Sequence, residues 1–206
     1  MSTTPVGKPA APARVQGQGG EGQMTAMLLE SFAKAAEEAG FRAWVVPAAG
    51  AQTLSELLCL VQVDEAGRNY VIHGMFPDEL SGAFGAERSP DDIVFLQLTL
   101  PLPFTVEEVA SADTALLLHS LNLLTPIGQF ILSDDEGLIV FRAMLPHRDN
   151  NLPSALVVEA IRMTRFFVTE FLSIIEPVAQ GLKTCRDTLD ELARQGIRLP
   201  TVTTAR

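Results

Sequence analysis

The sequence predicts an α+β domain, an antiparallel sheet with flanking helices. Three observations carry that prediction. Residues 57–76 hold two β-forming runs around a glycine-bearing turn. Residues 111–146 read helix, stop, strand, turn, strand. From residue 153 onward, apolar side chains recur at helical spacing for about two dozen positions. With 206 residues, 47% of them hydrophobic, the chain can bury a sizeable core as one domain without disulfides.

Charge narrows the class of partner. The formal net charge is -10, so the chain lacks the basic footprint that phosphate backbones and anionic membrane surfaces select. Nucleic acid and membrane are therefore not expected partners. Cys59 and Cys185 are far apart and form no CxxC pair, which predicts two free thiols in a reducing cytosol. The first residues contain no apolar core of a secretion signal, and residues 163–175 are interrupted by Arg165 and Glu170 before they reach a membrane-spanning length. A cytoplasmic location follows.

In order along the chain, residues 1–23 are rich in Gly, Pro, Ala and Gln and read as a disordered leader. Gly17, Gly19 and Gly22 spell G-x-G-x-x-G, but no strand precedes them, so a flexible linker is expected rather than a dinucleotide site. Residues 25–40 form an amphipathic helix, with Thr25 as cap and Gly40 as stop. Residues 43–46, 57–63 and 70–76 are strands, the last two joined by a hairpin turn with Gly67 at the position that needs positive φ. Residues 77–92 read as a long loop, a candidate for contact with something else. Residues 93–100 are the strongest strand, expected to end at Pro101 and Pro103.

A central helix spans residues 113–124, capped by Ser111 or Asp113 and stopped by Pro126 and Gly128. Its leucines cover most of the circumference, which predicts burial on more than one side. A hairpin of residues 129–133 and 138–145 follows, apolar on both faces, so one face needs a cover the chain itself does not supply. The long helix starts near Asn150 or Asn151, with Pro153 in its first turn, and runs to Pro177 or beyond. Leu182, Cys185, Leu189 and Leu192 form a last helical stripe, closed by Gly196. The predicted organisation is a leader at 1–23, the α+β domain at 24–180, a C-terminal helix at 181–196 and a flexible tail at 197–206.

The run Val94-Phe95-Leu96-Gln97-Leu98-Thr99-Leu100-Pro101-Leu102-Pro103, then Leu121-Asn122, then Gly128-Gln129-Phe130-Ile131-Leu132 and Gly137-Leu138-Ile139-Val140-Phe141-Arg142, resembles the type III secretion chaperone fold. In detail it looks more like the YbjN-type relatives of that fold. The resemblance covers roughly residues 25–178. It implies the element order α-β-β-β-α-β-β-α, to which this chain adds a C-terminal helix. It also implies a small, acidic, dimeric, non-enzymatic protein that holds a partner chain against its sheet. The leader, the 77–92 loop and the added helix depart from the secretion chaperones and argue against a role in secretion itself.

The residues themselves show no catalytic constellation. His73, His119 and His147 lie on a strand, a helix and a loop without metal-ligand spacing, and Asp134-Asp135-Glu136-Gly137 lacks the alternating ligands of an EF-hand loop. Glu107 and Glu108 are adjacent and point apart on a helix. Asn122 is read as bonding loose carbonyls at the end of its helix. Arg142 either clamps a partner or pairs locally and snorkels to water. No cofactor or metal is expected. The expected function is a chaperone-like adaptor that dimerises and holds a partner polypeptide on its sheet. The alternative is a stress or sensory regulator that binds a small molecule in a sheet cavity. The expected dimer or partner surface comprises Leu117, Leu121, Phe130, Leu132, Val140, Arg142, Met144 and Phe166.

Overall fold

A computed structural model describes residues 19–49, 54–64, 66–77, 93–133, 136–148 and 151–197. The readings made for residues 1–18, for most of the 77–92 loop and for 198–206 lie outside these. Helix α1 spans Gly19–Glu38 and is followed by strands β1 (Arg42–Val46), β2 (Glu56–Val63), β3 (Asn69–Met75) and β4 (Val94–Thr105). A 3-10 turn, Glu108–Ala110, runs into α2 (Ser111–Asn122). Strands β5 (Gln129–Ser133) and β6 (Leu138–His147) form the hairpin, and α3 (Ser154–Ala179) and α4 (Cys185–Arg194) end the fold. The strands make one six-stranded sheet in the order β1-β2-β3-β4-β6-β5, antiparallel throughout.

Strand alternation builds the core. Leu57 and Cys59 of β2, Ile72 of β3, Leu96, Leu98 and Leu100 of β4, and Ile139 and Phe141 of β6 are all fully buried on one side of the sheet. The helices lie on that side: α1 packs on β1 and β2, α3 on β2, β4 and β6, and α2 on β5 and α3. Leu29, Phe32 and Ala36 recur at helical spacing and are buried, which fixes the inward face of α1. That helix closes with a Schellman motif: Phe41 N–H donates to the Ala36 carbonyl (3.0 Å) and Gly40 N–H to that of Glu37 (2.9 Å), with Gly40 at φ +92°. The same pattern of bonds closes α3 and α4.

The β2–β3 turn is clamped to α3 by ions. The Arg68 guanidinium reaches Asp64 (2.6 Å) and, through two nitrogens, Glu176 (2.6 and 3.1 Å), while the Tyr70 hydroxyl donates to Asp64 (2.9 Å). Desolvation works to raise the Asp64 carboxyl. The hydrogen bonds from the Arg68 backbone and guanidinium and from Tyr70 outweigh it, and the group ends below its ordinary value.

Several local expectations are corrected. Helix α1 begins at Gly19, inside the stretch read as leader, so Gly19 and Gly22 are helical and Thr25 is interior rather than a cap. Strand β4 continues through both prolines to Thr105. Its pairing with β3 covers Gln97–Thr99, whereas pairing with β6 reaches Pro101 and resumes at Thr105. The prolines thus sit where one neighbour has run out, and their missing N–H interrupts little. Helix α2 has no side-chain cap, because the 3-10 turn feeds it directly. Asp113 instead accepts from the Cys185 N–H (3.2 Å) and, with Thr184, caps α4. Pro153 is itself the N-cap residue of α3, and Leu182 lies outside α4 with 74% of its surface exposed.

Candidate protein-binding surface

The opposite side of the sheet has no described helix over it. Its rows can be read from the register. One row crosses all six strands as Trp44, Leu58, His73, Thr99, Arg142 and Gln129. A parallel row holds Arg42, Leu60 and Val71 and, beyond, Pro101, Val140 and Ile131. At about 4.8 Å between strands, each row extends over roughly 24 Å. Leu58, Leu60, Val71, Val140 and Ile131 are half-buried by their neighbours, whereas Trp44 (44%) and Met144 (40%) are exposed. The formal charges here are Arg42, Arg142 and Glu56, and Glu56 is engaged by His73 Nδ1 at 2.8 Å. The second row is therefore apolar from Leu60 to Ile131, while the first carries His73, Thr99, Arg142 and Gln129, with a slight cationic bias on an acidic chain.

The eight residues expected to form one surface occupy three places. Leu117 and Leu121 (0%) and Phe130 (3%) lie in the core and have no surface left to offer. Phe130 meets Phe141 edge to face at 4.9 Å, and Leu132 is half-buried against the same core. Val140, Arg142 and Met144 share the open sheet face. Phe166 is on the outer side of α3, 54% exposed and 5.3 Å from the Phe167 ring. The helix-side leucines were misplaced because α2 is leucine-rich all round. The residues missed are Trp44, Leu58, Leu60 and Val71. Their signal was the unbroken apolar run Leu57-Leu58-Cys59-Leu60-Val61, which cannot be polar on either face.

Asn122 does different work from that expected. Its amide nitrogen donates to the Phe130 carbonyl (3.0 Å), and its oxygen accepts from the Phe130 N–H (2.7 Å). The side chain imitates a neighbouring strand along β5, the last strand of the sheet, and satisfies backbone groups that would otherwise face outward. Gly128 holds β5 close enough for this. It has φ +71°, and a Cβ there would fall 2.7 Å from the Phe141 ring and 2.8 Å from the Arg142 carbonyl.

A groove of about 410 Å³ lies on the helix side, between the end of α1 and α3, lined among others by Phe41, Gln62, Arg162, Arg165, Phe166 and Glu170. Gln62 reaches it because a bulge between Leu60 and Gln62 turns that side chain to the helix side, where Thr169 donates to it (2.6 Å). The histidines are dispersed: His73 on the open face, His119 exposed on α2, and His147 buried edge-on to Phe76. Among the described residues no group of three or more His, Cys, Asp or Glu is placed to hold a metal ion. Burial pushes the Cys59 thiol up to about 12. Burial and then the nearby Asp113 charge raise Cys185 as well. Thiols so protonated are poor nucleophiles. No helix among the described residues is long and apolar enough to cross a membrane.

No protein-family model matches this sequence, and comparison with curated proteins gives no significant match.

Proposed function

We propose that the chain is a non-catalytic adaptor that holds a partner polypeptide on the open face of its sheet. The supporting observation is the apolar row of Leu60, Val71, Pro101, Val140 and Ile131, half-buried next to the row of the exposed Trp44 and without a described element over it. An extended or amphipathic segment laid across six strands would cover these side chains, and the two arginines would favour acidic residues at its margin. The likeness to secretion-chaperone and YbjN-type sequences agrees with this reading.

Trp44 is the only tryptophan and stands at one end of the face, so it reports occupancy directly. The test is an array of unfolded peptides, with the binders then titrated in solution. Binding peptides are expected to shift the Trp44 emission. Val140→Glu is expected to weaken them by at least about tenfold, since it places a charge in an apolar contact. Binding unaffected by Val140→Glu, or an array with no binders, would defeat the proposal. A second reading, a regulator that takes a small molecule, draws on the groove between α1 and α3 rather than on a sheet cavity. A metabolite that raises the melting temperature of the wild type but not of Phe166→Glu would favour it.

A further inference from the structure

Two of the six methionines stand in one row of the open sheet face. Met75 of β3 pairs with Gln97 of β4, and Gln97 pairs with Met144 of β6. Met144 is exposed and Met75 half-buried. His73 precedes Met75 by two residues, so both side chains leave β3 on the same face, about 6.6 Å apart at Cα. Met75 and Met144 are two strand spacings apart, about 9.6 Å. A methionine has the length and the torsional freedom to reach halfway across such a gap. Between them Gln97 leans out of the row, because its amide nitrogen donates to Thr99 Oγ1, two residues along β4 (3.1 Å).

The imidazole beside this row is already oriented. His73 Nδ1 lies 2.8 Å from Glu56 Oε1. A carboxylate accepts, so Nδ1 carries the ring proton and, in the neutral ring, Nε2 presents its lone pair. No described residue bonds that Nε2. A carboxylate behind the ring is the arrangement that fixes the tautomer of a metal-ligating histidine and raises its basicity. Thioether sulfur lies outside the groupings of His, Cys, Asp and Glu that were found not to form a metal cluster.

We propose that Met75 Sδ, Met144 Sδ and His73 Nε2 together bind one Cu(I) ion on the open face. Donor chemistry selects the ion. Two thioethers and an imidazole are neutral donors, and the softness of the thioethers suits Cu(I). Calcium and magnesium require oxygen ligands, and zinc takes thiolate, imidazole or carboxylate rather than thioether. Charge points the same way. Arg142 stands on the same face, two residues from Met144, and at a given distance repels a divalent ion twice as strongly as a monovalent one. The proposal does not rest on the polypeptide reading, since Val140 and Ile131 belong to a different row.

The test is anaerobic titration of the purified full chain with Cu(I) against bicinchoninate, a chelator that colours when it holds Cu(I). The wild type is expected to take one equivalent from the chelator. Met75→Leu and Met144→Leu keep the size and apolarity of the side chain and remove only the sulfur, so a packing role would not be disturbed. Each is expected to weaken Cu(I) binding at least about tenfold, as is His73→Gln. Val140→Glu should leave copper uptake within about twofold of the wild type, which separates this site from the polypeptide-binding row. In parallel, the methyl signals of Met75 and Met144 in wild-type chain labelled with ¹³C-methyl methionine should shift together on adding Cu(I), and those of Met24 and Met27 should not. A chain that takes no Cu(I) from the chelator, or leucine variants that hold it as tightly as the wild type, overturns the proposal. Should a variant fail to fold, the wild-type methyl shifts decide: unmoved Met75 and Met144 signals overturn it equally.

Discussion

The two faces of the sheet are made by the same strands, one residue out of step, and along the row from Leu60 to Ile131 they differ in cover far more than in chemistry. On β6, Phe141 is fully buried and Val140 beside it is half-buried without a described helix above. On β2, Leu57 and Cys59 are sealed under helices while Leu58 and Leu60 have no described helix over them. A face required only to meet water would alternate to threonine, lysine or glutamate. Its retention of leucine, valine and isoleucine separates two properties that usually coincide: what contributes to stability, and what is apolar. The helix-side face is apolar because it is the core. The row from Leu60 to Ile131 on the open face is apolar without that reason, which is what points to a partner.

The sharpest way to break the contrast is to truncate one side chain from each face. Phe141→Ala should cost about 3–5 kcal/mol, since the ring is fully buried against Phe130 and Phe167. Val140→Thr, one position away, should stay within about 1 kcal/mol, as substitutions outside a packed core usually do. Urea unfolding of both variants decides it, and equal losses would mean that the open face is covered in the native chain. Next in size is Asn122→Ala. It leaves the N–H and carbonyl of Phe130 without their partner and should cost about 1–3 kcal/mol. Faster hydrogen exchange at the Phe130 amide would localise the loss to the sheet edge.

The smallest effect is a pH dependence, and the chain supplies its own probe on the covered face. Tyr70 is the only tyrosine and is 1% exposed. Burial, and then its hydrogen bond to Asp64, pushes the phenol up to about 12. A free tyrosine ionises near 10. Because the folded value is the higher one, this group's contribution to stability is complete below pH 10 and is lost as the pH rises toward about 12. Tyrosinate absorbance should therefore lag the normal titration in the native chain. A midpoint near 10 would show that α3 does not close over this end of the sheet.

Much of the fold was legible because alternation and turn residues carry phase. The grouping of Ile139, Phe141, Ala143 and Leu145 on one face of β6 followed from spacing alone, as did the positive φ of Gly67. Helix α2 was another matter. A helix with leucine on nearly every side has no amphipathic phase, so the sequence could not tell Leu117 and Leu121, which are core, from Leu116 and Leu123, which are not. Long-range polar bonds were equally hidden. Nothing near Asp113 announces Cys185, and nothing near Asn122 announces an edge strand eight residues on. The glycines at the start of α1 were read as leader from the composition of residues 1–23, yet the helix runs back through Gly19.

Cys59 gives the sealed interior a chemical consequence. A thiol protonated through the neutral range and lodged beneath a helix stays silent toward alkylating reagents for as long as sheet and helices remain together. Its consumption by such a reagent would keep time for the chain, each modified molecule recording one moment when the roof lifted.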